Sequence, residues 1–371
     1  VKVGVLSVLA ALVLAAPATA APPEVQARAY LVTSATTGEV LAQRADSARV
    51  PIASITKLMT VLVTLEHAKL DDVVTVAPGP AGVGESTIDL RAGERLTVRD
   101  LVKAALIQSA NDAAAALAAH VGRGDTTAFV RMMNAKARKL GLHDTRFVRP
   151  DGLDVAGHVS SARDVTRLAE IAMHDPFIRS VVRQRTATIA GGRTLHTWND
   201  LLGDFPGLIG VKTGHTGAAG WCEVAAAQRG GVTIYAAVLG SPSRGRRNAD
   251  LAALLRYGLS RYRTMPVVAA KPYAWVETGY GRGRLELVPS KPLARAIRVD
   301  RSLVERVVAP GAVSLPVRRG ARVGEVRVYS GDRYLGSRPL VAARTVEKPG
   351  LVSRVGWYAG RTAHHVAGWI T

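Results

Sequence analysis

Ser54 and Lys57 stand three residues apart in Pro51-Ile52-Ala53-Ser54-Ile55-Thr56-Lys57-Leu58-Met59-Thr60. On a helix that spacing puts a hydroxyl and an amine on one face, one turn apart. A hydroxyl beside an amine is a nucleophile beside a base, the starting point of covalent catalysis. Pro51 suits a helix start, where its missing N–H costs nothing. Ser-x-x-Lys alone is weak, since a chain of this length supplies on the order of one match by chance. Two later stretches carry groups of the same kind. Ser109-Ala110-Asn111 offers a second hydroxyl and an amide, and Lys212-Thr213-Gly214-His215-Thr216 a second ammonium followed by a hydroxyl and a glycine.

The elements around these residues follow from pattern. Arg28 to Ser34 and Glu39 to Gln43 alternate about Thr36-Thr37-Gly38 and predict a hairpin. An apolar helix is expected over Ser54 to Lys69, and loop with short strand from Asp71 to Leu90. Thr97 and Asp100 have capping-box spacing ahead of a helix over Val98 to Ile107. That helix breaks at Gln108 to Asn111, so Ser109 and Asn111 fall at a junction. Further helices are expected over Asp112 to His120, Thr127 to Leu140 with Gly141 as its stop, and from Ser161 to near His174. Thr186 to Leu195, Trp221 to Gln228 and Val232 to Leu239 predict strands, with the Lys212 stretch just ahead of the second. Ala249 to Tyr262 is an amphipathic helix.

Beyond Met265-Pro266 helical periodicity fades. Tyr273 to Glu277, Leu285 to Val288, Ala294 to Val299, Val313 to Val317, Val323 to Tyr329 and Arg338 to Ala343 are short strand patterns between Gly and Pro, as in a small all-β domain. From residue 347 the pattern becomes an amphipathic tail. Leu351, Val355, Tyr358, Val366 and Trp369 share one side of a helix too polar to span a bilayer but suited to lie in its interface. The expected organisation is an export signal over 1–20, a catalytic domain over 24–265, an all-β domain over 266–346 and the tail over 347–371. The signal reading rests on Lys2, the apolar run Val3 to Ala16 and the small residues Ala18 and Ala20.

Composition narrows the partners. The 371 residues carry a net charge of +20 and 48% apolar residues, enough for a sizeable core. A charge of that size on an exported chain points to an anionic membrane surface or wall polymer. No nucleic-acid recognition motif is present. Cys222 is the only cysteine, so no internal disulfide forms, and it is read as a small buried residue. The histidines show no metal-ligand spacing, and neither metal nor cofactor is expected.

Ser-x-x-Lys, Ser-x-Asn and Lys-Thr-Gly in this order form the motif set of serine β-lactamases and penicillin-binding proteins. The chain resembles the low-molecular-mass penicillin-binding proteins that are serine D-alanyl-D-alanine carboxypeptidases. Pro150-Asp151-Gly152-Leu153, Gly157-His158 and Asn199-Asp200-Leu201-Leu202 agree with it. The resemblance implies an α/β (α+β) transpeptidase fold, an antiparallel sheet flanked by helices. It implies Ser54 as nucleophile, Lys57 as its base and Ser109 as the relay to the leaving amine. Asn111 would hold the substrate amide, and Lys212 and Thr213 its carboxylate. Gly214 would let a peptide lie along the strand, and backbone N–H groups of Ser54 and His215 would form the oxyanion hole.

The implied partners are peptidoglycan stem peptides ending in D-Ala-D-Ala, β-lactams, and a membrane surface for the tail. The implied location is the outer face of the cytoplasmic membrane, the periplasm or the wall space. The alternatives are a D,D-endopeptidase, a β-lactamase and a non-catalytic wall-binding protein. A β-lactamase must deacylate fast with an activated water, which some members activate with a Glu carboxylate; Glu170 sits in a predicted helix without the Asn partner expected there. One departure stands out. Where family members place an Arg upstream of Lys-Thr-Gly, this chain has His196-Thr197-Trp198-Asn199, which leaves Arg193 and Arg244 to Arg247 as candidates for the carboxylate.

Overall fold

The computed structural model describes residues 5–12 and 21–367. It divides into two compact units, Ala21–Ser260 and, together with the Val5–Leu12 strand, the chain from Arg261 onward.

In the first unit the hairpin forms as expected, Ala29–Ser34 against Glu39–Arg44. It becomes one side of a five-stranded antiparallel sheet. From there the order runs through Val232–Ser241 and Gly220–Arg229 to Leu208–Thr216 at the far edge. The Val232–Ser241 and Gly220–Arg229 strands are buried almost without alternation, because helices cover both faces of the sheet. A Cβ on Gly258 of the Arg244–Ser260 helix would meet Val32 and Ile234, whereas Glu170 of the Ala162–Ala172 helix reaches the neighbouring Thr33. Adjacent strand residues point to opposite faces, so these two helices lie on opposite sides.

The Lys57–His67 helix is buried from Lys57 through Thr64, as suits an apolar segment at the centre of a helical layer. It packs against the Asn111–Val121, Thr126–Lys139 and Ala162–Ala172 helices. Two caps read from sequence are made: Thr97 accepts from Asp100 N and Ser161 from Asp164 N.

The first unit departs from pattern in several places, and the Lys212 stretch, expected only ahead of a strand, is itself the edge strand Leu208–Thr216. Ser54 lies in a separate 3-10 turn, Ala53–Thr56, ahead of the α-helix. The helix from Val98 is regular only to Lys103 and widens into a π-turn over Ala104–Gln108. Thr186 to Leu195 is not one strand but two, Thr186–Thr188 and Thr194–His196, because Gly191 and Gly192 turn the chain with positive φ. Asp175 caps an additional helix, Pro176–Val181. The last helix starts at Arg244 rather than Ala249.

The second unit is all-β apart from a short 3-10 turn and its tail. Arg284–Pro289, Ala274–Thr278, Arg333–Ala342 and Arg322–Ser330 form most of one mixed sheet around Val276, Leu285, Leu287, Val326 and Val328. Two of its strands were not anticipated. Leu303–Pro310 joins the main sheet, and Tyr262–Val268 pairs with Leu293–Arg298, which moves the boundary between the units from 265 back to 260. Val5–Leu12, inside the expected export signal, is a strand antiparallel to Leu303–Pro310. A short apolar run serves either purpose, as a leader or as a partner for an open sheet edge. Its expected cleavage site lies outside the described residues. The tail is a helix, Leu351–Ala367, with Trp357 and Tyr358 against the ring of Tyr280. Trp369 lies outside the described residues.

Candidate active site

The 3-10 turn carrying Ser54 is held from two sides by glycines. A Cβ on Gly214 would sit 2.9 Å from the Ile52 carbonyl oxygen and 3.0 Å from Ser54 N. This brings the edge strand's backbone directly against that of the Ser54 turn. On the other side a Cβ on Gly152 would sit 2.1 Å from the Ala53 carbonyl oxygen, and Gly152 has φ +89. Only glycine meets both demands. The same strap fastens the helix beneath: Thr60 Oγ1 donates to the Pro150 carbonyl at 2.5 Å. His158 Nδ1 accepts from Val148 N at 3.1 Å, so its proton is on Nε2, 2.8 Å from Thr56 Oγ1. Burial lowers the His158 pKa to about 4, and the ring stays neutral while it braces the turn.

Lys57 is fully buried. Its Nζ donates to Ser54 Oγ, Asn111 Oδ1 and the Asp151 carbonyl oxygen, each at 2.7 Å. Three acceptors match the three protons of an ammonium. Burial nevertheless dominates and lowers its pKa to about 7, with the charges of Asp151, Asp112 and Glu85 opposing. Arg149 clamps the Asp151 carboxylate through two bonds, at 2.5 and 2.8 Å.

Ser109 follows the π-turn with φ 64, a left-handed conformation uncommon outside glycine. The kink turns its hydroxyl toward the edge strand, where Lys212 Nζ donates to Ser109 Oγ at 2.9 Å and to the Thr213 carbonyl oxygen at 2.9 Å. Burial, reinforced by the charge of Lys57, pushes the Lys212 pKa well down. The structure thus brings Ser54, Lys57, Ser109, Asn111, Lys212, Thr213, Gly214 and His215 to one place. All but the two buried lysines line a cavity of about 210 Å³.

The cavity wall also contains groups that motif reading did not place there. Trp198 and Trp221 stand on it. Trp198 donates Nε1–H to the Gln108 carbonyl at 3.0 Å, and Trp221 stacks on His215 with ring centres 4.0 Å apart. Glu85 lines it too, from a stretch expected to be loop with short strand and not marked as part of a site. Of the candidate arginines, Arg193 is bonded to Glu94 and Arg244 to Asp200, while Arg247 lines the cavity. Arg247 is itself buried and caged, with Nε 3.0 Å from Glu223 Oε2 and Nη2 3.1 Å from Asp200 Oδ2. Glu223 is fully buried, and the lost hydration raises its pKa to about 7. Glu170 donates nothing to the cavity; it accepts from Thr33 Oγ1 at 3.0 Å. Among the described residues no group of His, Cys, Asp and Glu is arranged to hold a metal. Cys222 is buried and free, its thiol pushed up to about 11.

Comparison with known proteins agrees with this geometry. Residues 16–243 match the family model described as D-alanyl-D-alanine carboxypeptidase. The chain is 30% identical over 342 residues to the D-alanyl-D-alanine carboxypeptidase DacF of Bacillus subtilis, covering 88% of each. It superposes on penicillin-binding protein 5 of Haemophilus influenzae with a TM-score of 0.65 at 25% identity, over 89% of this chain and all of that one. The ampicillin-bound penicillin-binding protein D2 of Listeria monocytogenes matches with a TM-score of 0.58 at 33% identity, over 63% of this chain and 98% of that one. A buried lysine on a serine at the foot of a Lys-Thr-Gly edge strand, a matching family model and relatives along most of the length lead to one conclusion: the chain belongs to the D-alanyl-D-alanine carboxypeptidase family of serine peptidases, peptidase S11.

Proposed function

We propose that this cleft removes the terminal D-alanine from peptidoglycan stem peptides through an acyl-enzyme on Ser54. The observation that carries the reading is the 2.7 Å contact between Ser54 Oγ and a Lys57 with no access to water. Neutral Lys57 takes the Ser54 proton as Oγ attacks the penultimate D-Ala carbonyl carbon. The oxyanion forms between the N–H groups of Ser54 and His215. The C–N bond then breaks; the departing amine takes the proton of Ser109, whose oxygen already accepts from Lys212, and the proton that Lys57 took from Ser54 replaces it, which leaves Lys57 neutral again. Water hydrolyses the ester and frees the enzyme. Asn111 is the donor to the peptide on the acyl side, and Gly214 gives the peptide room along the strand.

Lys212, Thr213 and Arg247 are assigned to the terminal carboxylate. Arg247 is the one candidate arginine on the cavity wall, and with it the enzyme needs no Arg at Trp198. β-Lactams present an amide and a carboxylate in the same relation, and the ampicillin-bound relative supports their capture on Ser54. Fast penicillin turnover is disfavoured, because Glu170 is committed to Thr33 away from the cleft.

The remaining assignments are an export signal over 1–20, a location on the wall side of the cytoplasmic membrane, and contact of the tail with that membrane. Exposed Leu351, Val352, Val355 and Tyr358 support the last. No described helix is long and apolar enough to cross a membrane.

Labelled penicillin and a D-Ala-D-Ala peptide, each given to the wild type and to Ser54→Ala, test the central claim. A stable adduct and free D-Ala are expected only with Ser54 present. Absence of both sinks the reading, and rapid release of hydrolysed penicillin makes the protein a β-lactamase.

A further inference from the structure

The cleft is electrically lopsided. Arg247 lines it, with Lys212 buried nearby. Glu85 is the one acidic side chain on the cavity wall among the described residues. The charges that act on the two lysines report this polarity. Glu85 acts on Lys57 and Arg149, whereas Lys212 is influenced by Lys57, Glu223 and Arg247.

Glu85 is also held in place. Asn111 Nδ2 donates to the Gly84 carbonyl at 2.9 Å, and Asn111 N to the Ser86 carbonyl at 2.7 Å. Ser86 Oγ donates to the Gln108 carbonyl at 2.9 Å, and Gln108 Nε2 returns a bond to the Thr87 carbonyl at 2.8 Å. The buried Asp112 carboxylate accepts from Ile88 N at 3.1 Å and Leu90 N at 3.0 Å. The segment on both sides of Glu85 is therefore fixed to the Gln108–Asp112 junction that carries Ser109 and Asn111. Glu85 itself has φ 65, a conformation that a non-glycine residue holds only when its surroundings impose it. Its carboxylate makes no hydrogen bond or ion pair among the described residues, and the nearby Arg149 is already committed to Asp151. A pinned, exposed, unpartnered carboxylate beside the acyl half of the cleft calls for a cation from the substrate.

We propose that Glu85 is a specificity residue that pairs with a free side-chain amine on the peptide residue preceding D-Ala-D-Ala. The claim rests on the peptidase reading of the cleft and adds the chemistry of the acyl part. Substrates would be bound between two poles, the carboxylate end at Lys212 and Arg247 and the amine at Glu85. A stem peptide whose amine is already acylated, as in a cross-link, would lose the second contact.

The test uses the full chain and three peptides identical except at the residue before D-Ala-D-Ala, which is lysine, ε-acetyl-lysine or norleucine. The readout is the ratio of kcat/KM values for D-Ala release within each enzyme, which cancels differences in the folded fraction. For the wild type a lysine preference of about fivefold is expected, in the range of a solvent-accessible ion pair in a cleft. It should shrink as salt is raised. Glu85→Gln should bring the three peptides to within about twofold, and Glu85→Lys should reverse the order. Equal wild-type turnover of the three peptides overturns the proposal, as does a lysine preference that survives in Glu85→Gln. So does a Glu85→Gln enzyme slowed by one common factor on all three, which would place Glu85 in the hydrolytic step or the fold. Failure of wild-type enzyme to release D-Ala from any of them defeats the peptidase reading instead, and this proposal with it.

Discussion

The proposed role of Lys57 as a base requires a neutral amine near pH 7, and its burial favours one. A lysine in water is protonated to about pH 10.4. Here burial brings the pKa to about 7. The base form is the neutral amine, so the acylation rate should rise with pH up to about 7 and level off above it. Below that point it should fall about tenfold per unit, the titration of one group. Stopped-flow acylation by a chromogenic penicillin between pH 5 and 9 measures this, and a rate independent of pH there would remove Lys57 as the base. Lys57→Ala should cost at least about 100-fold, the usual share of a positioned base. Glu223 makes the complementary case, an acid buried for the sake of an arginine. Glu223→Ala leaves Arg247 in the same dry site with one fewer counter-charge. Breaking a buried pair costs about 3–5 kcal/mol, and the low end is expected because Asp200 and Asn248 remain on the guanidinium. Urea unfolding of the two proteins gives the number.

At the scale of elements, much of the site was legible because its members carry sequence signatures. Ser54 and Lys57 share a face, Thr97 and Ser161 cap helices as their spacing announced, and Ser109 lies at the break expected of it. What stayed hidden depends on close approach between segments distant in sequence. The 3-10 turn carrying Ser54 lies so close to Gly152 and Gly214 that neither has room for a Cβ, and nothing in residues 53–56 records that. Glu85 was unreadable for the same reason: its loop has no periodicity and is shaped by bonds to Gln108, Asn111 and Asp112. Arg247 could be named from sequence only as one of several arginines, until its partners placed it on the cavity wall. Two glycines with similar backbone separate conformation from contact. Gly152 has φ +89 with the Ala53 carbonyl in the path of a Cβ, whereas Gly93 has φ +81 and nothing within 4 Å. Gly93→Ala should cost only the backbone preference, about 1 kcal/mol, and leave penicillin acylation intact. Gly152→Ala should push the nucleophile turn out of line and lower acylation by about 100-fold, as a displacement near 1 Å does. Equal acylation by the two variants would show that the strap does not set the position of Ser54.

At the scale of the whole molecule, the two units differ in charge and in what they could meet. Between Arg261 and Thr371 there are 20 Lys and Arg against 7 Asp and Glu, so this stretch carries most of the net charge of +20. The same stretch ends in the Leu351–Ala367 helix, where Leu351 is 74% and Val352 89% exposed. Under the proposed membrane contact, these exposed aliphatic groups would enter the interface of an anionic lipid surface and the cations would meet its headgroups. Neither feature serves catalysis, since every residue of the cleft lies between Ser54 and Arg247. Binding and chemistry should therefore separate. The full chain is expected to sediment with vesicles containing anionic lipid, weakly with purely zwitterionic ones, and less as salt is raised. A chain ending at Lys348 should lose most of that binding while its penicillin acylation rate stays within about twofold, because no group near Ser54 has been altered. Undiminished vesicle binding by the shortened chain would shift the membrane contact to the basic sheet, and binding to neither vesicle by the full chain would leave the charge to an anionic wall polymer.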